Sequence, residues 1–521
     1  MGDRPVAAIG CFPAQTNRLS PTMLQFAVFD DSGPAKSWPL HNARLLDRDD
    51  VVVPGEIEFA DGFITCNRRG VRPTALSLLH DAGPLGQLAL QTCLLPHRDT
   101  PYILTVELAR HRIAVFLAQA EAWQMHLSAE HPSMAMVEKA RHIFTRAMVT
   151  RDLKQASEFG REALELALEA SELLALAHAE ILLHRRFEER PASRATFGTS
   201  IWPQRDGAAL RDFVTQQFAL VRIPMDWRLI CPQEGRYDWS AIDRWMEWAI
   251  EAKRMVIAGP LLDFSPGCMP SWLDPCRNDF GTLCDRAYDH VQAVVQRYGD
   301  SIGMYSILSG VNTNLDYQFT LKQMSDLVRT LALVVRQGNR GRRVLVELSH
   351  LWGEYLADAR EGIPPIVFIE QLLQAGIRLD AIGLRLLFGD SQRGLVSRDL
   401  LEISRHVDRF LHLEPKLIIS GLGVPDHVVD PEAGWWHSEW SRERQGRWVG
   451  QVLPMLLSKP FVEAVVWSDL YDHDATMPQG SGLLTDAGQP KPVLKKFATL
   501  RQRLLKPLGK VVMPAKADPD S

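Results

Sequence analysis

The chain has 521 residues, 46% of them apolar and 23% charged, with a formal net charge of −5. That length exceeds one ordinary domain, and the composition is that of a globular protein rather than a disordered one. The mild acidic balance gives no electrostatic reason to expect nucleic acid or an anionic membrane as a partner. No apolar run reaches the roughly 18 residues a membrane span needs. Residues 1–21 form an N-terminal extension without a basic start and a sustained apolar core, so no secretory leader is expected. Seven cysteines, an odd number, fit reduced thiols and a cytoplasmic location better than a disulfide framework. Cys268, Cys276 and Cys284 are evenly spaced, but no CxxC or nearby His pair accompanies them, and buried or loop thiols explain them better than metal ligation.

Residues 22–130 have strand character. LQFAVFD, IEFADGFITCN, TALSLLH, GQLALQTCLL and YILTVEL are rich in β-branched and aromatic residues and are divided by Gly, Pro and Asp. Partial alternation predicts antiparallel sheets with one wet face, and hence a β-sandwich. Such a domain could bind carbohydrate or simply pack on its neighbour. Trp38 and Trp123 are the tryptophans of this half, a poor supply of sugar-stacking surface, so packing is the favoured role. Residues 131–194 read as a helical linker, with Leu164, Leu168, Ser171, Leu174 and Leu182 along one stripe. Pro191 ends the pattern.

From Ala195 onward, eight apolar runs alternate with helical patterns. They are ATFGTSI, FALVRIPM, MVIAGPLL, IGMYSILSG, RVLVEL, LDAIGLRLL, PKLIISGL and FVEAVVW. Strands covered on both faces read as continuous apolar runs. Eight of them in about 300 residues predict a TIM barrel over residues 195–508, followed by a tail over 509–521. Active groups in this architecture stand at the C-terminal ends of the strands. No GxGxxG or GxxxxGK[ST] fingerprint is present, and no cofactor is expected.

The second and third strands carry Met225, Trp227, Pro232, Glu234-Gly235, Tyr237, Asp243, Pro270 and Trp272. The eighth-strand segment carries Trp467, Asp472, Leu483-Leu484 and Lys491-Pro492. This pattern resembles glycoside hydrolase family 10, the xylanase family. The sixth strand, AIGLRLLFG, is similar to its Gly-x-Gly-x-Gln-x-His segment, with Gly383 retained, Arg385 in place of Gln and Leu387 in place of His. The resemblance spans about residues 195–503 and implies a (β/α)8 barrel with carbohydrate as partner. It also implies a glutamate acid/base ending strand four and a glutamate nucleophile ending strand seven. Retaining hydrolysis needs two carboxyl groups about 5–5.5 Å apart, yet by ungapped placement these positions are Gly310 and Gly421. Ser309 replaces the companion Asn, and Asp226 stands in place of a Lys. The family's mechanism is therefore not expected to carry over.

Other carboxylates near strand ends are Asp226, Glu347, Glu354 and Asp469, the candidates for any relocated catalysis, with Asp263, Asp390 and Asp426 beside them. The stretch from Glu347 to Tyr355 is the densest polar and aromatic group. Twelve of the fourteen tryptophans follow residue 195. The candidate substrate-binding residues are Trp227, Trp272, His350, Trp352, Arg385, Trp435 and Trp467; the competing reading is that such rings only pack the loops. The expectation is a xylanase-like barrel that binds polysaccharide or oligosaccharide without the usual Glu pair. The alternatives are an active glycoside hydrolase with relocated carboxylates and a structural or assembly protein. Oligomeric state is left open.

Overall fold

The computed structural model describes residues 21–509 except 70, 71, 126, 358, 360, 392 and 393. The extension expected over 1–21 and the tail over 509–521 lie outside the described residues apart from their boundary positions. The N-terminal half holds two main sheets. One orders Tyr102–Ile103, Pro21–Ala27, Phe63–Arg69 and Glu56–Ala60; the other contains Gly86–Gln91, Ala75–Asp81, Arg44–Leu46 and Val52–Val53. Phe26, Ile64, Leu76, Leu78 and Leu88 are fully buried in one continuous core, so the sheets form a sandwich-like domain.

YILTVEL, read from sequence as a strand, is a strand only at Tyr102–Ile103. A helix, α1 (Leu104–Ala122), begins at once. Its Leu104, Leu108, Ala109, Arg112, Ile113 and Phe116 are buried, and that helical spacing outweighs the β-branched content of a short window. It packs with α2 (Pro132–Val149) and α3 (Leu153–Phe187). Asp152 caps α3 by accepting from Gln155 N–H at 2.7 Å. Gly160 lets α1 and α3 approach, since a Cβ there would stand 2.8 Å from Val106 N.

The eight predicted barrel runs are the eight parallel strands observed. They are β1 (Phe197–Ser200), β2 (Leu220–Ile223), β3 (Met255–Ala258, continued at Leu262–Asp263), β4 (Met304–Ser309), β5 (Arg343–Leu348), β6 (Ala381–Leu387), β7 (Lys416–Gly423) and β8 (Val462–Trp467). Parallel pairing of β1 with both β2 and β8, and of β3 with β4, closes the barrel. The helices that follow the strands in turn are α4 (Ala208–Gln217), α5 (Ser240–Glu251), α6 (Phe280–Tyr298), α7 (Leu321–Arg336), α8 (Pro365–Gln374), α9 (Leu400–Asp408), α10 (Arg442–Ser458) and α11 (Pro492–Leu504). The fold is thus a TIM barrel with an N-terminal sandwich-like domain and intervening helices. Among the described residues, no helix is long and apolar enough to cross a membrane.

The two halves are joined by more than chain connectivity. Trp435–Trp436, from the loop after β7, pairs antiparallel with Gly86–Gln91 and so becomes a strand of the N-terminal sheet. Arg112 of α1 donates to both oxygens of Asp399 at 3.1 and 2.6 Å. Asp399 is itself the cap of α9 and is fully buried. Glu172 of α3 accepts from Trp436 Nε1 at 2.6 Å and pairs with His437 Nε2 at 2.8 Å.

Removing one partner of a buried ion pair strands the other charge, at about 3–5 kcal/mol. Arg112→Ala is therefore expected to lower the unfolding free energy by that order, read from denaturant melts.

Burial depresses the imidazoles of His80 to about 4, and of His290 and His406 to about 3. As pH falls below the ordinary imidazole value, the unfolded chain takes up protons that the folded chain refuses. Stability is therefore lost with falling pH, by about 1.4 kcal/mol per such histidine per pH unit between about pH 6.5 and 4. His290→Phe, which keeps a ring against Trp227, is expected to flatten that slope in melts taken across this range.

Candidate functional site

The barrel interior is built in layers, because inward positions recur every second residue along a strand. Leu220, Ile257, Met304, Leu345, Ala381, Ile418 and Ala464 form a separate buried apolar cluster inside it. Two residues further along their strands stand Arg222, Ser306, Glu347, Gly383 and Ser420. This second layer is polar apart from Gly383 and, on β8, Val466, which belongs to the apolar cluster. Glu347, only 1% exposed, accepts from Arg222 Nη2 at 3.0 Å on each oxygen and from Ser306 Oγ at 2.7 Å. Gly383 makes room: a Cβ there would meet Glu347 Cγ at 2.8 Å.

Above this layer the strands end. The β4–β5 register slips between Ser306 and Leu308, and the β6–β7 register skips Ser420 to pair Arg385 with Gly421. Bulges of this kind re-aim the side chains around them. Gly310 directly follows β4 with φ +70°, a conformation a glutamate would adopt only with strain. Gly421 is buried beside Arg385, whose Cγ and Nε would lie 3.7 and 3.8 Å from a Cβ built there.

Four charged groups gather at this mouth. Asp226, half-buried after β2, accepts from Arg228 N–H at 2.9 Å and pairs with Arg228 Nη2 at 2.7 Å. Arg228 also donates to Gly267 O at 2.7 Å. Asp263 accepts from Ser265 N–H at 2.9 Å and faces Arg385 Nη1 at 3.7 Å. Cys268 lies within reach of all four. Burial first, and Asp263 next, push its thiol up to about 11, against the pull of Arg228 and Arg385, so it is not a ready nucleophile.

The remaining sequence candidates are distributed around this group. Glu354 is buried against Arg398 Nη2 at 2.5 Å. Asp469 accepts from Ser481 Oγ at 3.2 Å and lies 3.4 Å from His473 Nε2. Trp227 is 2% exposed, stacked on His290 at 4.5 Å and edge-on to Trp272 at 5.6 Å. Trp272 is half-buried and donates to Cys231 O at 2.9 Å. Trp352 lies between the Arg398 guanidinium at 4.4 Å and the His406 ring at 4.7 Å, and donates to Glu402 at 3.2 Å. His350 takes φ +55° and sits edge-on to Tyr355. Trp435 is in the strand shared with the N-terminal sheet. Trp467 is fully buried and donates to Ser481 O at 2.7 Å.

The sequence singles out Asp226 and Arg385, and Cys268 as a buried or loop thiol, but gives no role to Arg222, Ser306 or Arg228. A signal for Arg222 exists: one charge inside the apolar run FALVRIPM needs a partner, and Glu347 inside RVLVEL is the matching oddity. Among the described residues, no group of three or more His, Cys, Asp or Glu side chains could hold a metal ion.

Fold and mouth together define a TIM barrel whose C-terminal cup is lined by ion-paired side chains above a buried Arg–Glu layer. No protein-family model matches the chain, and no curated protein matches it. Among solved structures, native xylanase 10B from Thermotoga maritima matches at 15% identity and TM-score 0.47, covering 62% of this chain and 98% of its own. The endo-1,4-beta-xylanase XylE of Penicillium canescens matches at 15% and 0.47, covering 63% and 97%. TsXylA, an intracellular xylanase of Thermoanaerobacterium saccharolyticum, matches at 15% and 0.46, covering 60% and 97%.

Glu347→Gln keeps the shape and removes the charge that Arg222 needs. It is expected to destabilise the fold by about 3 kcal/mol or more, and Glu347→Gln combined with Arg222→Met is expected to recover part of that loss in the same denaturant melts.

Proposed function

We propose that the protein is a xylanase-like barrel that binds polysaccharide or oligosaccharide in its C-terminal cup and does not carry out retaining Glu/Glu hydrolysis. The observation that carries the reading is the pair of strand ends, where β4 runs into Gly310 and β7 contains Gly421. Neither offers a proton or a nucleophile, and losing either member of such a pair removes most of the acceleration.

The carboxylates available to substitute are engaged already. Glu347 and Glu354 are buried against Arg222 and Arg398, and Asp226 is held by Arg228. Asp469 is bonded to Ser481. A carboxylate buried under its own guanidinium cannot reach an anomeric carbon, which weighs against relocated catalysis at Glu347 and Glu354. The motifs shared with glycoside hydrolase family 10 in the second, third and eighth strand segments support a carbohydrate as the ligand. In this reading Asp226, Trp272, His350 and Arg385, all partly exposed, are the candidates to meet it. The setting is cytoplasmic, and nucleic acid is no partner.

Calorimetric titration with xylo-oligosaccharides is expected to give saturable heat in the micromolar to millimolar range, while an aryl xyloside is expected to stay uncleaved. Absence of heat with every glycan tried would remove the binding reading. Turnover abolished by Asp226→Asn would replace it with a hydrolase using relocated carboxylates.

A further inference from the structure

Arg385 stands on β6 two residues beyond Gly383, hence on the same inward face and one layer nearer the mouth. It lies along Gly421, where a Cβ would stand in ordinary van der Waals contact with its Cγ and Nε. The ion pair it makes among the described residues, to Asp263 Oδ2, measures 3.7 Å, beyond hydrogen-bond reach. Its neighbours are held differently: Arg222, Arg228 and Arg398 grip their carboxylates at 3.0, 2.7 and 2.5 Å.

A guanidinium carries five N–H donors in a planar fork. One that is 21% exposed, facing a counter-charge it does not bond, is set to take a planar carboxylate through two parallel hydrogen bonds. Ser309 and Ser349 stand at the ends of β4 and β5, and Ser420 lies one layer deeper on β7. Their hydroxyl oxygens are buried and without hydrogen-bond partners among the described residues.

We propose that the cup receives an acidic sugar, a uronate-bearing glycan whose carboxylate pairs with Arg385 in place of Asp263. This rests on the carbohydrate reading above and adds the charge of the ligand to it. Binding is an exchange: Arg385 leaves a loose contact, and Asp263 keeps the Ser265 N–H that it already accepts.

The test is calorimetry on the full chain with a uronic-acid-substituted xylo-oligosaccharide and with the same oligosaccharide after carboxyl reduction. The acidic form is expected to bind about tenfold or more tightly, with a preference that shrinks as salt is raised. Arg385→Gln is expected to erase the preference and leave weak binding of the neutral form. Asp263→Asn removes the competing carboxylate and is expected to tighten the acidic ligand, a gain that a misfolded variant cannot mimic. Equal affinity for the two forms, a preference that survives Arg385→Gln, or no tightening with Asp263→Asn each overturns the proposal while leaving carbohydrate binding in place. No heat with either form ends both.

Discussion

A glutamate placed inside a barrel loses its hydration, a penalty of several kcal/mol unless charge and hydrogen bonds replace the water. Glu347 meets that condition through Arg222, which reaches it across the interior from β2 with β3 and β4 between them, and through the Ser306 hydroxyl. The apolar layer beneath tolerates no such group, and Gly383 supplies the volume that the glutamate takes up. The pair also fixes register. A one-residue slip of β2 or β5 would turn its charge toward the apolar helix layer. The depth of Glu347 thus assigns it to the framework, and the cup above it begins only at the next layer of inward positions.

That cup is held unevenly. On the β5–β7 side, its loops are fastened from outside. Glu354 binds Arg398, Ala89 N–H donates to Ser397 O at 2.9 Å, and Asp399 receives Arg112 from α1. On the β2–β3 side the fastening is local, with Asp226, Arg228 and Gly267 O joined in a short chain. At the level of the mouth, the long Arg385–Asp263 pair is a loose link between the two sides. On the proposed binding reading, that loosely joined span is the place for the ligand.

The barrel was legible in the sequence because parallel strands buried on both faces leave unbroken apolar runs, and all eight runs proved to be strands. The N-terminal sandwich was legible from alternation and turn residues. The start of α1 was not, since Tyr102 and Ile103 favour a strand locally while the helical face of Leu104–Phe116 is recognised only once α3 is there to cover it. At the mouth, Asp226 is singled out because strand ends are where this architecture puts chemistry, and Arg385 because it stands where the resembled family carries a Gln. The tryptophans were harder. Sequence places Trp227, Trp352, Trp435 and Trp467 near strand ends, but whether an indole faces a ligand or a neighbour depends on partners such as His290, Arg398 and the Gly86–Gln91 strand, which lie far off in the chain.

The two residues Trp435–Trp436 complete the edge of a sheet whose other strands were made more than three hundred residues earlier. Neither half is therefore self-contained. A barrel without the sheet would carry a two-tryptophan strand with nowhere to dock, and a sandwich without the barrel would offer a bare, adhesive edge to other chains.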